Sequence, residues 1–352
     1  MRDMRVKFPR DPVFRSTNEI IQLADTNFEE HRECYTPLLS SHFEISYSQS
    51  KPDFQFDVRA AVDGLWGNGT WVQPKPPYDP FLVPESELFL DIPLIENVEP
   101  SHEYYCLMNK YPACPRHFLL LTSDFMPQFL PPNEVELRML HAFTRHPEYV
   151  GFINIGCESG ASQPHRHFQL INTEVFGNIE HVPIDMALRT WDRELVQGSV
   201  EKCTELQFLH CFVDIRDMSI DDIITNYHIM MDSVGLPSTW DAYNEIITPP
   251  NIEHTWLNYN FKIYKYVNVP SYNFIMTGEF MLVVPRTSAK SSVCPMNSLP
   301  FLGSFFTRDR EQNEAMRFRV ASELLAEGCP KDLDSYQAPA IEFNNVEMVA
   351  VC

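Results

Sequence analysis

The first recognisable pattern along the chain is an apolar-periodic stretch that follows Ser16-Thr-Asn-Glu19. Those four residues have the form of a capping box, and the spacing behind them predicts a helix running to about Cys34. From residue 104 the apolar positions crowd into short runs. Residues 104–110 and 117–122 read as two strands joined by a turn at Pro112-Ala-Cys-Pro115. Pro131-Pro132 then introduces a helix over 134–145, with Val135, Leu137, Leu140 and Phe143 near one side. Residues 149–155 give a third strand and 165–171 a fourth. The second half repeats this flavour. Ser219 caps a helix carrying Ile220, Ile223, Ile224, Tyr227, Met231 and Val234 at helical spacing. Strands are expected over 258–267, 272–277 and 281–284, and a helix over 309–327 stops at Gly328 and Pro330. Residues 57–84 hold Gly64, Gly67, Gly69 and five prolines, and read as an ordered loop crossing the surface.

One internal echo stands out. Tyr105-Cys-Leu-Met-Asn-Lys followed by Phe118-Leu-Leu-Leu resembles Tyr272-Asn-Phe-Ile-Met-Thr followed by Phe280-Met-Leu-Val, as a duplicated strand–turn–strand unit would. The chain divides into an N-terminal half, 1–200, and a C-terminal half, 201–352, expected to close into one globular unit.

Composition narrows the function. With 352 residues, 44% of them hydrophobic, a sizeable core can form. Acidic residues outnumber basic ones 48 to 27, for a net charge of −21. That argues against nucleic-acid binding, which needs a broad basic surface, but leaves room for a phosphate ligand in one local pocket. The basic N-terminus has no apolar stretch behind it, and the runs 118–121 and 280–284 are far too short to span a bilayer. Nine cysteines without framework spacing suit reduced thiols. The expectation is a soluble, cytoplasmic protein with no membrane partner, in which Asn68-Gly-Thr70 is a chance match to a glycosylation pattern.

The chemistry concentrates between residues 152 and 169. If residues 165–171 form a strand, alternation places His165, His167 and Gln169 on one face and turns Phe168 and Leu170 to the core. Two imidazoles and a carboxamide in a row have no packing advantage; together they suit a nucleophile and its supports. The preceding loop, Glu158-Ser-Gly-Ala-Ser-Gln163, can turn backbone N–H groups inward around phosphate oxygens, although an ordinary tight turn has the same composition. A neutral imidazole can attack an α-phosphorus and hold the nucleotidyl group as a phosphoramidate. His167, central on the face, is the candidate nucleophile, with His165 orienting it or touching substrate. Gln169 can donate to a phosphate oxygen but cannot act as acid or base, so it should favour transfer over hydrolysis.

His165-x-His167-x-Gln169 after Ser159-Gly-Ala-Ser-Gln163 resembles the diadenosine tetraphosphate phosphorylases (ATP adenylyltransferases), of the histidine-triad and galactose-1-phosphate uridylyltransferase superfamily. Asp79-Pro-Phe-Leu82, Leu107-Met-Asn-Lys-Tyr111, His117-Phe-Leu-Leu-Leu-Thr122 and Phe125-Met-Pro-Gln128 follow the family order. So do Phe208-Leu-His210, Tyr272-Asn273, Leu282-Val-Val-Pro-Arg286 and Asn297-Ser-Leu-Pro-Phe-Leu-Gly303, and the resemblance covers roughly residues 50–325. It implies an α+β, histidine-triad-like fold: an antiparallel sheet flanked by helices, with two pseudo-symmetric halves in one chain that allow a monomer. It further implies reversible conversion of diadenosine tetraphosphate and phosphate to ATP and ADP through an adenylyl-histidine on His167. The nucleotide contacts it implies fall on Lys75, Asn109, Lys110, Asn154, Gly160, Ala161, Ser162, Gln163 and Gln169. From the second half they include Asn297, Ser298, Leu299, Ser304 and Arg308. The family commonly carries a lysine at Arg308; the charge is kept, but arginine is a planar fork rather than a point donor. Residues 64–73 read as an insertion ahead of the Asp79 element.

No organic cofactor is expected; a divalent cation such as Mg²⁺ can arrive with the polyphosphate without a dedicated protein cage. Cys203, His210 and Cys211, or Cys106 and Cys114, lack the tight spacing of structural zinc sites. The isolated His102, His181, His210, His228 and His254 read as surface or core residues. Three alternatives stand beside the leading reading: a transferase acting on adenylyl sulfate or a nucleoside diphosphate sugar, a hydrolase, and a non-catalytic nucleotide sensor. Because the substrate is itself strongly anionic, the acidic shell opposes its approach, and binding must rest on local donors around Ser159–Gln163 with Lys110, Arg308 and Lys75.

Overall fold

Alternate residues of the central strands face two different apolar layers. In β6 (Tyr149–Ile155), Tyr149, Ile153 and Ile155 enter one core, and Val150 and Phe152 enter the other. In β10 (Phe280–Arg286), Met281 and Val283 divide from Phe280, Leu282 and Val284 in the same way. A sheet buried on both faces explains why these strands read as unbroken apolar runs rather than as clean alternation.

The computed structural model describes residues 16–35, 43–47, 57–61, 80–82, 84–94, 104–163, 165–176, 182–184, 188, 196–204, 206–240, 242, 270–307, 310–317 and 319–336; at 43–47, 57–61, 91–93, 175, 310 and 317 it describes the backbone alone. The strand expected over 258–267, together with Lys75 and Arg308, lies outside the described residues.

The main sheet has eight strands in the order β3-β4-β5-β7-β6-β9-β10-β8, every neighbouring pair antiparallel. Its remaining members are β3 (Phe89–Pro93), β4 (Tyr104–Met108), β5 (Phe118–Thr122), β7 (His167–Asn172), β8 (Cys211–Asp214) and β9 (Ser271–Met276). The echo seen in the sequence appears as two antiparallel hairpins, β4–β5 and β9–β10. Strands from both halves of the chain meet at the β6–β9 pairing, so the sheet is continuous across them.

The first core lies between this sheet and three helices. They are α1 (Thr17–Glu30), which contributes Ile20, Ile21 and Ala24, α2 (Glu134–Thr144), which contributes Leu137, Leu140 and Phe143, and α3 (Ile220–Ser233), which contributes Ile223, Tyr227 and Met231. The second core is closed by α4 (Ser298–Leu302) and α6 (Ala321–Ala326) through Leu299, Phe301, Leu324 and Leu325. The α+β class and the antiparallel sheet flanked by helices are thus as the sequence implies.

Several local expectations change. Helix α1 spans Thr17–Glu30, shorter than expected, and Ser16 makes no side-chain cap bond, so its capping box is not formed. The capping box that does form is at α2. The Glu136 N–H donates to Asn133 Oδ1 at 2.9 Å, and the Asn133 N–H donates to Glu136 Oε2 at 2.9 Å. Asp57–Ala61 is not loop but strand β2, antiparallel to β1 (Phe43–Tyr47) and parallel to β11 (Ser304–Thr307). The helix expected over 309–327 is broken into α5 (Arg310–Arg317) and α6, because Val320 is extended (φ −79°, ψ 121°). Both pieces reach the second core, α5 through Met316 and α6 through Leu324 and Leu325.

Helix α2 lies so close to β6 that a Cβ on Gly151 would sit 2.4 Å from Leu140 Cδ1 and 3.1 Å from Thr144 Cγ2. Gly151→Val should therefore push the helix from the sheet and destabilise the fold by about 1–3 kcal/mol. Urea unfolding of the two proteins measures this; an unchanged midpoint would show that the contact relaxes freely.

Candidate active site

Strand alternation sorts residues 165–170 to two sides. Arg166, Phe168 and Leu170 turn toward α2, and all three are fully buried. The Arg166 guanidinium forms a two-pronged pair with Glu136 (Nε–Oε1 2.5 Å, Nη2–Oε2 2.6 Å). It also donates to the carbonyls of Leu130 (2.6 Å) and Pro131 (3.1 Å), and lies 5.3 Å from the Phe168 ring centre. Such a buried charge is tolerable only because each of its three nitrogens finds an acceptor. Anchored there, the strand must present His165, His167 and Gln169 on the opposite face.

On that face, β6 and β7 part company. Their pairing runs from Tyr149↔Asn172 to Phe152↔Gln169. Beyond it the Gln128 side chain takes the place of a strand neighbour. Its Oε1 accepts the His167 N–H at 2.8 Å, and its Nε2 donates to the carbonyls of His167 (3.1 Å) and Asn154 (3.0 Å). A carboxamide carries the same donor and acceptor as a peptide, so the strands can separate without orphaning these buried groups. His167 stands in the resulting fork.

The expected strand at 165–171 begins at His167; His165 makes an isolated bridge with Pro127 instead. The contribution of His165 to the site is its backbone carbonyl, which accepts the Nδ1–H of His167 at 2.8 Å. That bond fixes the tautomer: in the neutral ring the lone pair is on Nε2. The His165 ring itself is buried, its Nε2 lying 2.8 Å from the Thr122 carbonyl and 3.1 Å from Thr122 Oγ1. Phe81 packs against both imidazoles, its ring centre 5.3 Å from that of His167 and 5.8 Å from that of His165.

Gln169 is held from one side. Its Oε1 lies 3.0 Å from His117 Nε2, while His117 Nδ1 accepts the Ala113 N–H at 3.1 Å. Burial pushes the His117 imidazole down to about 4, so the ring is neutral at physiological pH. The neighbouring Asn109 gives its Oδ1 to the Tyr111 N–H (2.9 Å) and keeps its NH₂ against the His117 ring. Lys110 is ion-paired with Glu85, the first cause of its raised pKa.

The candidate phosphate loop is tied to the second half of the chain. Asn154 Oδ1 accepts from Asn273 Nδ2 (2.8 Å) and from the N–H (3.1 Å) and hydroxyl (2.7 Å) of Ser298. Asn273 Nδ2 also donates to the Ser159 carbonyl (2.9 Å), and its Oδ1 accepts from buried Arg286 (2.6 Å). Gly160 has a left-handed backbone (φ +81°), and a Cβ there would lie 2.6 Å from the Met296 carbonyl oxygen and 3.0 Å from Asn297 Cα. Asn297 caps α4 by accepting the Leu299 N–H at 2.9 Å. Asn154, Gly160, Asn297 and Ser298 are thus brought together beside the fork, with Leu299 buried just behind. Ala161 and Gln163 are half-buried and Ser162 is exposed. Ser159 is not available as an outward donor: its hydroxyl is buried and donates to the Gly156 carbonyl at 2.7 Å. Ser304 is buried in β11.

Sequence reasoning gave no role to Gln128, Glu136, Arg166, Asn273, Arg286 or His117. The signal was present: each is polar and sits within or beside an apolar run, where a side chain must find a partner or be expelled. His210 is likewise spoken for, its Nε2 accepting the Cys203 N–H at 2.8 Å and its Nδ1 donating to the Phe208 carbonyl at 2.8 Å, so neither nitrogen is left for a metal.

Residues 69–190 match the model of the Ap4A phosphorylase N-terminal domain, and residues 204–330 that of the ATP adenylyltransferase C-terminal domain. Diadenosine 5',5'''-P1,P4-tetraphosphate phosphorylase 2 of Saccharomyces cerevisiae is 28% identical over 254 residues, 67% of this chain and 70% of the relative. Protein APA1 of the same yeast is 26% identical over 251 residues, 66% of this chain and 70% of the relative. The crystal structure of yeast Ap4A phosphorylase Apa2 has a TM-score of 0.64 at 22% identity, covering 90% of this chain and 99% of that one. Its complex with Ap4A scores 0.61 over 90% and 98%. The antiparallel sheet has the fold of yeast Apa2, and the matched domains place the chain in the nucleotidyltransferase class. Within that class, the chain belongs to the Ap4A phosphorylase (ATP adenylyltransferase) family. Among the described residues, no helix is long and apolar enough to cross a membrane.

Two stability measurements check the scaffold. Glu136→Leu leaves the Arg166 charge buried without its partner, and should cost about 3–5 kcal/mol in unfolding free energy. Acid should also weaken the fold. Burial holds His117 and His210 down to about 4, whereas an unfolded histidine titrates near ~6.5. The unfolded chain therefore takes up protons first, and stability falls as pH drops from about 7 to 5, by about 2 kcal/mol per ring. Urea midpoints that do not move over this range would show that these imidazoles are not buried in neutral form.

Proposed function

We propose that the protein catalyses reversible phosphorolysis of diadenosine tetraphosphate, with phosphate as acceptor and ATP and ADP as products. The bond from His167 Nδ1–H to the His165 carbonyl carries this reading, because it directs the nucleophilic lone pair to Nε2. His167 Nε2 attacks the α-phosphorus of one adenosine, a bond to the bridging oxygen breaks, and ATP leaves. Adenylate then remains on the ring as a phosphoramidate. A phosphate oxygen attacks the same phosphorus in the second step, the P–N bond returns its electrons to Nε2, and ADP is released.

The other residues take supporting roles. Gln169 donates to a non-bridging oxygen and, unable to take a proton, does not activate water for hydrolysis. The Gly160–Gln163 amides, with Asn297 and the α4 N-terminus beside them, face the polyphosphate. Lys110 exchanges Glu85 for a phosphate oxygen, and Arg308 and Lys75 add further positive charge. A divalent cation such as Mg²⁺ would be carried by the nucleotide rather than by a dedicated protein cage, and would offset part of the polyphosphate charge. The matched Ap4A phosphorylase N-terminal domain and the yeast relative named as a diadenosine tetraphosphate phosphorylase support the substrate.

Incubation with diadenosine tetraphosphate should give ATP and ADP only when phosphate is present. His167→Ala should slow this by at least about a thousandfold. Intact-mass analysis should show one added AMP on the wild-type protein and none on the variant. Equal turnover without phosphate would identify a hydrolase instead, and nucleotide binding without any adduct would identify a sensor.

A further inference from the structure

We infer that His117 is a positioning residue that fixes which end of the Gln169 carboxamide meets the transferred phosphoryl group. This deepens the proposed function and rests on it.

A backbone N–H can only donate, so the 3.1 Å contact from Ala113 N makes His117 Nδ1 an acceptor. In a neutral ring the proton is then on Nε2. The atom 3.0 Å from that nitrogen must accept, which assigns it as Gln169 Oε1. The Gln169 NH₂ group is consequently the end left to face outward, on the half-buried side shared with His167. The reverse orientation would set two donors against each other at His117 and direct a carbonyl oxygen at an anionic phosphoryl oxygen.

Geometry makes this contact a built one. Leu119 stands opposite Gln169 in the β5–β7 ladder, and His117, two residues earlier, is its diagonal neighbour on the same face. The ring is 3% exposed and held at both nitrogens. Its backbone is held as well, since the Asn109 N–H donates to the His117 carbonyl at 2.9 Å. Asn109 Oδ1 is committed to Tyr111 N–H, so only its NH₂ can approach the ring, 3.2 Å from Nε2 and 3.5 Å from Nδ1. Those two similar distances place the group over the ring, where it does not compete with Gln169 for the Nε2 proton. The strongly lowered basicity of the ring keeps this arrangement in place at neutral pH.

A double-mutant cycle on diadenosine tetraphosphate phosphorolysis tests the assignment. His117→Met should lower kcat about 10- to 100-fold with KM changed less than about threefold. His117→Gln, which can again offer an N–H to Gln169, should recover most of the loss. In a Gln169→Ala background, His117→Met should cost little more. An undiminished loss in that background would overturn the inference, because His117 would then act through the fold rather than through Gln169.

Long-range ¹H–¹⁵N spectra of the wild-type imidazoles give a readout that needs neither turnover nor a folded variant. At pH 7 His117 should appear as the Nε2–H tautomer, and an Nδ1–H tautomer would overturn the assignment. If the wild type lacks phosphorolysis yet shows this tautomer, the substrate reading fails while the hydrogen-bond assignment stands.

Discussion

The buried pair between Arg166 and Glu136 is the constraint on which the site depends. Arg166 lies between the two histidines in sequence, and in a strand the middle residue of three must face away from its neighbours. Fixing it against α2 by two short hydrogen bonds fixes the opposite orientation of His165 and His167. A slip of one residue would drive a guanidinium into the fork and both imidazoles into the apolar layer beneath α2. A buried ion pair is a poor source of net stability, since desolvation offsets most of its attraction. Its value here is register. The same Glu136 closes the α2 capping box, so the start of the helix and the face of the strand are set by one carboxylate.

With the register set, the remaining difficulty is to open a hole in a closed sheet without leaving polar backbone unsatisfied. Gln128 solves this by standing in for a missing peptide between Asn154 and His167. The other wall of the fork comes from the far half of the chain. Asn154 bonds Asn273 and Ser298, and Arg286 backs Asn273. A loop of small residues becomes a shaped surface only because these carboxamides hold its first turn. Neither half of the chain contains this arrangement alone.

The electrostatics follow the same division between scaffold and site. The chain carries a net charge of −21, yet carboxamides and a phenyl ring surround His167: Gln128 on its backbone, Phe81 against its ring and Gln169 beside it on the strand. Neutral donors can meet an anionic phosphoryl group without drawing water or protons into the reaction. Lys110, ion-paired with Glu85, sits at the edge with its charge already compensated.

Much of this was legible in the sequence, and the reasons are local. Strand periodicity located β4 to β7 and β9 to β10, and alternation put the candidate groups His167 and Gln169 on one face, because alternation is a property of the backbone itself. What failed was also instructive. Ser16-Thr-Asn-Glu19 has the letters of a capping box but makes no cap bond, whereas Asn133 and Glu136 make both; α2 is buried on β6, and burial makes its capping necessary. Asp57–Ala61 reads as loop because its partners, β1 and β11, lie far from it along the chain. The sequence by itself determined which residues could be nucleophile, donor and phosphate loop. The tertiary structure decided which nitrogen of His167 holds the lone pair, which end of Gln169 faces outward and which hydroxyls are already spent. The His165 carbonyl sets the first, the distant His117 ring the second and the Gly156 carbonyl the third, and none of these hydrogen bonds leaves a periodicity to read.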